Sequence, residues 1–360
     1  YQKKTDIEHI LHAPDTYIGS TEKDDEINWI FTEDGKIQRK KYAWIPGFYK
    51  IFDEGLVNCK DHHTRLLNKK NCHQVTTISV EIDKQSGVIS LFNNGDGIDV
   101  EKHPEYKIWI PEMIFGHLRT STNYRKDEEK IVGGKNGFGV KLIMIYSKWA
   151  KLETIDHRRG LKYVQEFKNN LSTICKPHVS KSKATPYTKI EFLPDYRKFG
   201  IKNITDDMYH LLKKRTYDIA AITSRSVKVK FNGEKVPIKS FEQYIDLYIG
   251  TASNAKRIYE KQGERWEFAV CLTPIDEFTH VSFVNGIYTS KGGKHVDYIL
   301  GQITRKLVTY IEKKKKIRVR PVTIKEQLML FVNCIVVNPS FDSQTKDYLN
   351  TPASRFGSTC

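Results

Sequence analysis

Long apolar runs are missing from this 360-residue sequence, and none approaches the ~20 residues that a membrane-spanning helix needs. The opening residues, Tyr1 to Asp6, lack the apolar core of a secretion signal. The six cysteines are widely spaced and include no C-x-x-C pair, which argues against a disulfide framework and against cysteine zinc ligands. No internal repeat or low-complexity segment occurs. We therefore expect a soluble, intracellular protein with free thiols and no membrane partner.

Acidic residues are also in deficit. Lys and Arg number 59 against 43 Asp and Glu, which leaves a net charge of +16. This excess favours a polyanion such as nucleic acid as partner, because neutralised phosphates drive such affinity. Solubility alone is the alternative explanation. The hydrophobic fraction of 39% is typical of a globular chain, and the length suggests two domains.

A glycine-rich stretch at residues 131–141 contains Gly134, Gly137 and Gly139 in the order G-x-x-G-x-G, just before an apolar helical run. Glycine lets the backbone approach a ligand closely, and a helix that begins here would direct its N–H groups toward a phosphate. The order excludes a Rossmann loop, and Lys141 lacks the following Ser or Thr of a P-loop. An ordinary turn remains the alternative for this loop alone.

The periodicity of residues 48–63 predicts a helix. Its apolar side consists of Ile51, Phe52, Leu56 and Cys59. Glu54, Asn58 and Asp61 share another face, at spacings of four and three residues. Such a face usually points to water. Beside a phosphate loop, however, a carboxylate and a carboxamide one turn apart suit a water and a hard cation such as Mg²⁺.

Two short strands at residues 77–82 and 88–92 read as a hairpin, and Asn93, Gly95 and Gly97 follow at once. A simple turn is one interpretation. The other is a polar side chain at a strand end, with glycines that let a flat base lie against the backbone. The polar, hydroxyl-rich residues 114–130 then lead into the glycine loop, either as a flexible connection or as a lid.

The second half of the chain predicts a separate α/β layer. A helix over residues 295–311 lies between strands at 281–284 and 328–337, which is a β-α-β unit. Lys313, Lys314, Lys315 and Lys316 open a basic run on the predicted loop after this helix. Two interpretations fit this basic run equally well: contact with DNA, or a charged surface that faces only water.

Together, the helix with Glu54 and Asn58, the strand-end Asn93 and the three glycines resemble the GHKL ATPases. That family includes gyrase, the large ATP-dependent heat-shock chaperone, histidine kinases and the MutL mismatch-repair proteins. Longer strings are similar to the N-terminal ATPase region of eukaryotic-type DNA topoisomerase II. They are DTYIGS at 15–20, YKIFDE at 49–54, GGKNGFG at 133–139, TSKGG at 289–293 and FDSQTK at 341–346. The resemblance covers nearly the whole chain.

The resemblance implies a role for each matching residue. Glu54 would be the general base that orients water toward the γ-phosphate, and Lys346 the switch-loop cation that reaches this phosphate from the second domain. Asn58 would ligate Mg²⁺, and Asn93 would contact adenine. The other implied ATP contacts are Tyr17, which crosses to the nucleotide of a partner subunit, His62, Ser121, Thr122, Asn123, Gly134, Lys135, Asn136, Gly137, Phe138, Gly139, Val140, Lys141 and Gln344.

The fold that the resemblance implies is a two-layer α/β sandwich, the Bergerat GHKL ATPase fold, over residues 1–239 with an N-terminal arm. An α/β transducer domain over residues 240–360 follows, with a left-handed β-α-β crossover that departs from the general right-handed rule. The implied function is the ATPase module of a type II topoisomerase. Mg-ATP would close a homodimeric gate around double-stranded DNA, and hydrolysis would reset it. The implied compartment is the nucleus, or the host nucleus or cytoplasm for a viral protein.

The sequence departs from the family pattern on the helix with Glu54. Gly55 stands where the family usually has Ile, and Cys59, Lys60 and His62 replace Ala, Ala and Asn. His62 can still donate a hydrogen bond, but its contact with a nucleotide is in doubt. Another GHKL clamp ATPase, of mismatch-repair or chaperone type, is the alternative function. A pure binding module is a third, disfavoured by the presence of Glu54.

Overall fold

The computed structural model describes residues 4–118, 130–133 and 139–360. These residues form two compact units, each with its own core. The first contains residues 4–118 and 139–240, and the second contains residues 130–133 and 241–360. The expected domains at 1–239 and 240–360 are functional assignments, and as such they stay predictions.

The first unit combines a helical layer with a large sheet. Its helices are α1 (Asp6–His12), α2 (Pro14–Tyr17), α3 (Pro46–Leu66), α4 (Ile110–Gly116), α5 (Gly139–Ile145) and α6 (Asp206–Ile222). Its strands are β1 (Asp24–Phe31), β2 (Ile37–Trp44), β3 (Thr77–Ile82), β4 (Ile89–Asn94), β5 (Ser147–Asp156), β6 (Leu161–Lys168), β7 (Thr173–Ile174), β8 (His178–Lys181), β9 (Tyr187–Pro194), β10 (Lys228–Phe231) and β11 (Glu234–Lys235).

The main sheet has the strand order β11-β10-β3-β4-β9-β5-β6-β7, with β8 paired to β6 and only β10 and β3 parallel among these pairings. Strands β1 and β2 form a separate hairpin. Because successive side chains on a strand point to opposite faces, the register produces one apolar and one polar face. An apolar row crosses four strands through Val80, Leu91, Ile190 and Leu152.

Helix α3 lies against the apolar face of the sheet, and Gly55 makes the closest approach. A Cβ at this position would lie 2.4 Å from Leu91 Cδ1 on β4 and 2.8 Å from Ile143 Cδ1 on α5. The side chains of Leu91 and Ile143 therefore occupy the space that the family's usual Ile would need. Glycine costs helix stability, but here it allows α3, β4 and α5 to pack in contact.

A buried ion pair joins α3 to α6. Arg215 Nε donates to Asp53 Oδ1 at 2.6 Å, and the guanidinium is completely buried. Burial would lower the pKa of Arg215, but the neighbouring carboxylates raise it above its ordinary value. Breaking such a pair leaves an uncompensated charge in the core. The pair therefore fixes the relative positions of the two helices.

The second unit is a smaller α/β layer. It contains α7 (Phe241–Ile249), β12 (Ile258–Gln262), β13 (Trp266–Leu272), β14 (Thr279–Val284), β15 (Ile287–Tyr288), α8 (Lys294–Lys315), α9 (Pro321–Lys325) and β16 (Leu328–Cys334). The strand order is β12-β13-β16-β14-β15, and β14 and β16 are parallel neighbours. The predicted β-α-β unit is confirmed, and the handedness of its crossover stays a prediction.

Helix α8 continues beyond the predicted end at Ile311. Lys313, Lys314 and Lys315 form its last turn, and Lys316 caps it in the left-handed conformation at φ 58°. The prediction that Lys313–Lys315 lie on a loop was wrong. Cations are favourable near the negative end of the helix dipole, which explains why a lysine run does not end the helix. All four side chains are exposed.

The six cysteines are free thiols, as expected. Within the described residues, no helix combines the length and the apolar character that crossing a bilayer requires.

Gly55→Ala should destabilise the first unit by ~1–3 kcal/mol, because overpacking against Leu91 and Ile143 outweighs the better helix propensity of alanine. Gly301→Ala is the matched control. Gly301 also lies inside a helix, but a Cβ there meets no described atom within 4 Å. This control should leave stability unchanged or raise it by up to ~1 kcal/mol. Urea unfolding of both variants beside the parent measures the difference, and equal effects would contradict the packing argument.

Candidate active site

Glu54 lies in the middle of α3 with its carboxylate buried. Lys50, one turn earlier, places Nζ 3.0 Å from Glu54 Oε1, and both side chains are 6% exposed. The other oxygen faces the first residue of α5, since a Cβ built on Gly139 would lie 2.4 Å from Glu54 Oε2. Only glycine fits against this carboxylate without a shift. Glycine at position 139 therefore allows the backbone at the start of α5 to approach this carboxylate closely.

Asn58 follows one turn after Glu54 and is half-buried. Its Nδ2 donates to the main-chain oxygen of Glu54 at 2.7 Å, which orients the side-chain amide. The amide oxygen of Asn58 is the kind of ligand that Mg²⁺ accepts, with water in its remaining positions. Asp61, on the same face, is completely buried. The interpretation of this face as simply water-facing is therefore wrong, because Glu54 and Asp61 lie inside the protein.

The strand-end motif after β4 is also enclosed. Asn93 is 6% exposed, and its Nδ2 donates to the main-chain oxygen of Asn94 at 3.0 Å. Gly95 has a φ of 99°, which disfavours any side chain. A Cβ on Gly97 would lie 1.9 Å from the main-chain oxygen of Ile155 on β5. Both glycines are therefore imposed by the backbone path beside Asn93.

His62 links α3 to this motif. Its Nε2 lies 2.7 Å from the main-chain oxygen of Asp96, and because a carbonyl accepts, Nε2 carries the proton and donates. Burial lowers the pKa of His62, so the neutral ring is favoured. Glu54, Asn58 and His62 thus follow one another along α3, and His62 contacts the motif that contains Gly95 and Gly97.

Lys141 lies in α5, two residues after Gly139, and only 2% of it is exposed. Burial lowers its pKa from 10.5 to about 8. Val140 beside it is half-buried. An anion beside this buried amine would raise its pKa again, because an opposite charge favours the ammonium form. The amine therefore prefers an anionic ligand to a neutral one. The remaining predicted residues of the lid and glycine loop, Ser121, Thr122, Asn123, Gly134, Lys135, Asn136, Gly137 and Phe138, lie outside the described residues.

Tyr17 belongs to an N-terminal arm that is anchored to the first unit. Its hydroxyl lies 3.0 Å from His9 Nδ1, and the two rings meet edge to face. Tyr146 also anchors the arm, because its hydroxyl donates to the main-chain oxygen of Ile10 at 2.8 Å. Asp6 and Glu8 in the first turn of α1, with the Thr5 cap, complete a stable helix start.

Lys346 lies in the loop after β16 of the second unit. It has a φ of 61° and is 5% exposed, and its Nζ donates to the main-chain oxygen of Gly133 at 3.3 Å. Gly133 is the residue directly before the predicted phosphate loop. Gln344, in the same turn, is half-buried. The loop packs against Gly293, because a Cβ on this glycine would lie 2.5 Å from the main-chain nitrogen of Leu349.

Two solved structures of type II topoisomerase ATPase regions are similar to the whole of this chain. The ATPase region of Saccharomyces cerevisiae topoisomerase II is 40% identical, with a TM-score of 0.92 over 100% of this chain and 92% of that chain. The ATPase and transducer domains of topoisomerase II from Balamuthia mandrillaris are also 40% identical, with a TM-score of 0.93 over 100% of this chain and 91% of that chain. The chain belongs to the family of type II DNA topoisomerase ATPase regions.

Sequence relatives support the family. The DNA gyrase B family model matches residues 213–359. DNA topoisomerase 2 of Acanthamoeba polyphaga mimivirus is 48% identical over 99% of this chain, and DNA topoisomerase 2 of Pisum sativum is 45% identical over 100% of it. The chain covers 28% and 25% of those two proteins, so it spans about a quarter of the curated relatives it matches. The two-layer GHKL fold expected for the first domain is confirmed.

Lys50 is the residue of this site that sequence reasoning missed. The signal was present, since Lys50 and Glu54 have the i, i+4 spacing of a helical ion pair. Such pairs usually lie on an exposed helix face and contribute little. Here burial of both side chains makes the pair a fixed part of the site.

Proposed function

We propose that this chain binds Mg-ATP and hydrolyses it as the ATPase module of a type II DNA topoisomerase. The observation that carries the proposal is the buried Glu54 carboxylate, packed against Gly139 and followed one turn later by Asn58. A carboxylate in this position suits a general base, because a water that it orients can attack the terminal phosphate. The relatives reported above are topoisomerases, which favours this function over another GHKL clamp ATPase.

Each residue of the site has its own proposed role. Lys50 Nζ contacts Oε1 of Glu54, and we assign Oε2, which faces Gly139, to receive the proton of the attacking water. Asn58 offers its amide oxygen to Mg²⁺, which would neutralise phosphate charge. Asn93 and His62 line the strand-end motif, where the adenine would lie. Tyr17, Ser121, Thr122, Asn123, Gln344 and residues 134–141 are proposed as further ATP contacts, Tyr17 to the nucleotide of a partner subunit.

Lys346 is proposed to contact the terminal phosphate. An ammonium group there stabilises the charge that develops during phosphoryl transfer. Its present acceptor is the main-chain oxygen of Gly133, immediately before the phosphate loop in sequence. Exchange of a carbonyl for a phosphate oxygen would let the second unit respond to bound nucleotide.

The full-length enzyme is proposed to act inside the cell as a homodimer on double-stranded DNA. ATP binding would close a gate around one DNA segment, and hydrolysis would reopen it. The net charge of +16 and the four exposed lysines at the end of α8, Lys313–Lys316, support DNA as the partner.

Glu54→Gln should lower kcat for ATP hydrolysis by at least ~100-fold, because the amide cannot accept the proton of the attacking water. Nucleotide affinity should stay within a few-fold, since the side chain keeps its shape. Steady-state hydrolysis and binding of a non-hydrolysable analogue measure the two effects. Glu81→Gln, on the exposed face of β3, is the matched control and should match the parent. Turnover by Glu54→Gln within a few-fold of the parent would remove Glu54 from the general-base role.

Nucleotide affinity should fall as pH rises above about 8. Phosphate raises the pKa of Lys141 above its value of about 8 in the free protein, so binding takes up a proton between the two pKa values. The loss should approach tenfold per pH unit at most. Calorimetric titration with a non-hydrolysable analogue at about pH 7.5 and about pH 9.5 measures this linkage.

Lys141→Met should bind more weakly at the lower pH and lose this pH dependence. Lys148→Met, an exposed residue of the neighbouring strand β5, should keep the behaviour of the parent. Equal affinity of the parent at both pH values would show that Lys141 does not contact phosphate.

A further inference from the structure

A cluster of His73, Asp96 and His157 lies beside the strand-end motif and is not used by the proposed hydrolysis. His73 belongs to the segment between α3 and β3, Asp96 to the motif after β4, and His157 to the turn between β5 and β6. One ligand atom from each of the three lies within 4.8 Å of the other two. Three separate segments of the first unit therefore converge on one point.

The distances are those of a nearly formed metal site. His73 Nδ1 lies 3.5 Å from Asp96 Oδ1, and His157 Nε2 lies 3.7 Å from the same oxygen. A tetrahedral zinc ion with bonds of ~2.0–2.1 Å places its ligand atoms about 3.4 Å apart. The two imidazole rings meet edge to face, with centroids 4.3 Å apart. The side chain of His73 is 50% exposed, so its ring can rotate to close the remaining gap.

The carboxylate of Asp96 is held in place by other groups. The backbone nitrogen of His73 donates to Oδ1 at 2.8 Å, and Arg158 Nη2 donates to Oδ2 at 3.1 Å. Only 8% of the Asp96 side chain is exposed. Arg158 occupies the oxygen that does not face the imidazoles, as hydrogen-bonded partners of metal-binding carboxylates commonly do. The two imidazoles both approach the other oxygen, Oδ1.

His157 contributes Nε2 to the cluster. Its Nδ1 is buried and has no hydrogen-bond partner among the described residues. The side chain of His157 is 23% exposed, and its Nε2 lies 3.7 Å from Asp96 Oδ1. Two imidazoles directed at one buried carboxylate offer the nitrogen and oxygen ligands that zinc and similar divalent transition metals prefer.

We propose that His73, Asp96 and His157 bind one divalent transition-metal ion, of which Zn²⁺ is the best match, with water from the open His73 side as the fourth ligand. The ion would fasten the glycine motif around Asp96 to the β5–β6 turn and to the segment after α3. His62 contacts the main-chain oxygen of Asp96, so this fastening would also steady the end of α3. The proposal does not depend on ATP hydrolysis.

The test uses Co²⁺ as a spectroscopic probe on the chelator-treated 360-residue chain without nucleotide. The parent should bind one equivalent of Co²⁺ with visible ligand-field absorption, and added Zn²⁺ should displace it. His73→Ala and His157→Ala should weaken binding by more than about 100-fold, because losing a ligand costs more than losing a group that supports one. His178→Ala, an exposed histidine on β8, is the matched control and should bind as the parent does.

Two further measurements keep the test decisive. All six cysteines remain in the double variant His73→Ala/His157→Ala, so binding to thiols would persist there and show near-ultraviolet thiolate bands. Zn²⁺ should raise the Tm of the parent, because it binds the folded state. The Tm of His73→Gln should change little on addition of Zn²⁺. The His73 side chain is half-exposed, so its replacement does not disturb the core. A parent that binds no more Co²⁺ than the double variant, or a Tm unchanged by Zn²⁺, would overturn the proposal.

Discussion

The contact between Gly139 and the carboxylate of Glu54 is the constraint on which the rest of the site depends. The contact places the Glu54 carboxylate inside the protein, and a buried carboxylate needs a charged partner, which Lys50 supplies. The contact also requires α3 and α5 to approach closely, which Gly55 permits between Leu91 and Ile143. The helix that carries the proposed general base is therefore positioned by close contacts at two glycines, Gly139 against Glu54 and Gly55 against Leu91 and Ile143.

Much of this arrangement was readable from the sequence. The periodicity of residues 48–63 predicted α3, and the strands predicted at residues 77–82 and 88–92 correspond to the β3–β4 hairpin, whose second strand includes Asn93. Local patterns do not report burial, so Glu54 and Asp61 looked like a face open to water. The β1–β2 hairpin was missed because its charged, half-exposed strands lack a clear apolar alternation. The end of α8 was predicted too early because a run of four lysines is typical of a surface loop. The C-terminus of a helix also favours lysine, because the helix dipole is negative there.

The two units contribute different kinds of order. In the first, apolar rows of the sheet and the Arg215–Asp53 pair hold α3 in place. In the second, the loop of Lys346 adopts a left-handed backbone and packs on Gly293. A lysine in such a conformation is held by its surroundings, since the backbone alone disfavours it. This suits the proposed role of Lys346, in which its ammonium group would exchange the Gly133 carbonyl for a phosphate oxygen as nucleotide binds.

Sedimentation velocity of this chain shows whether bound nucleotide closes a dimer, as we propose. The comparison is between samples with Mg²⁺ alone and samples with Mg²⁺ and a saturating non-hydrolysable ATP analogue. The analogue should shift the chain from monomer to dimer, and Glu54→Gln should preserve this shift because binding does not need the general base. A chain that binds the analogue fully and still sediments as a monomer would contradict the gate mechanism.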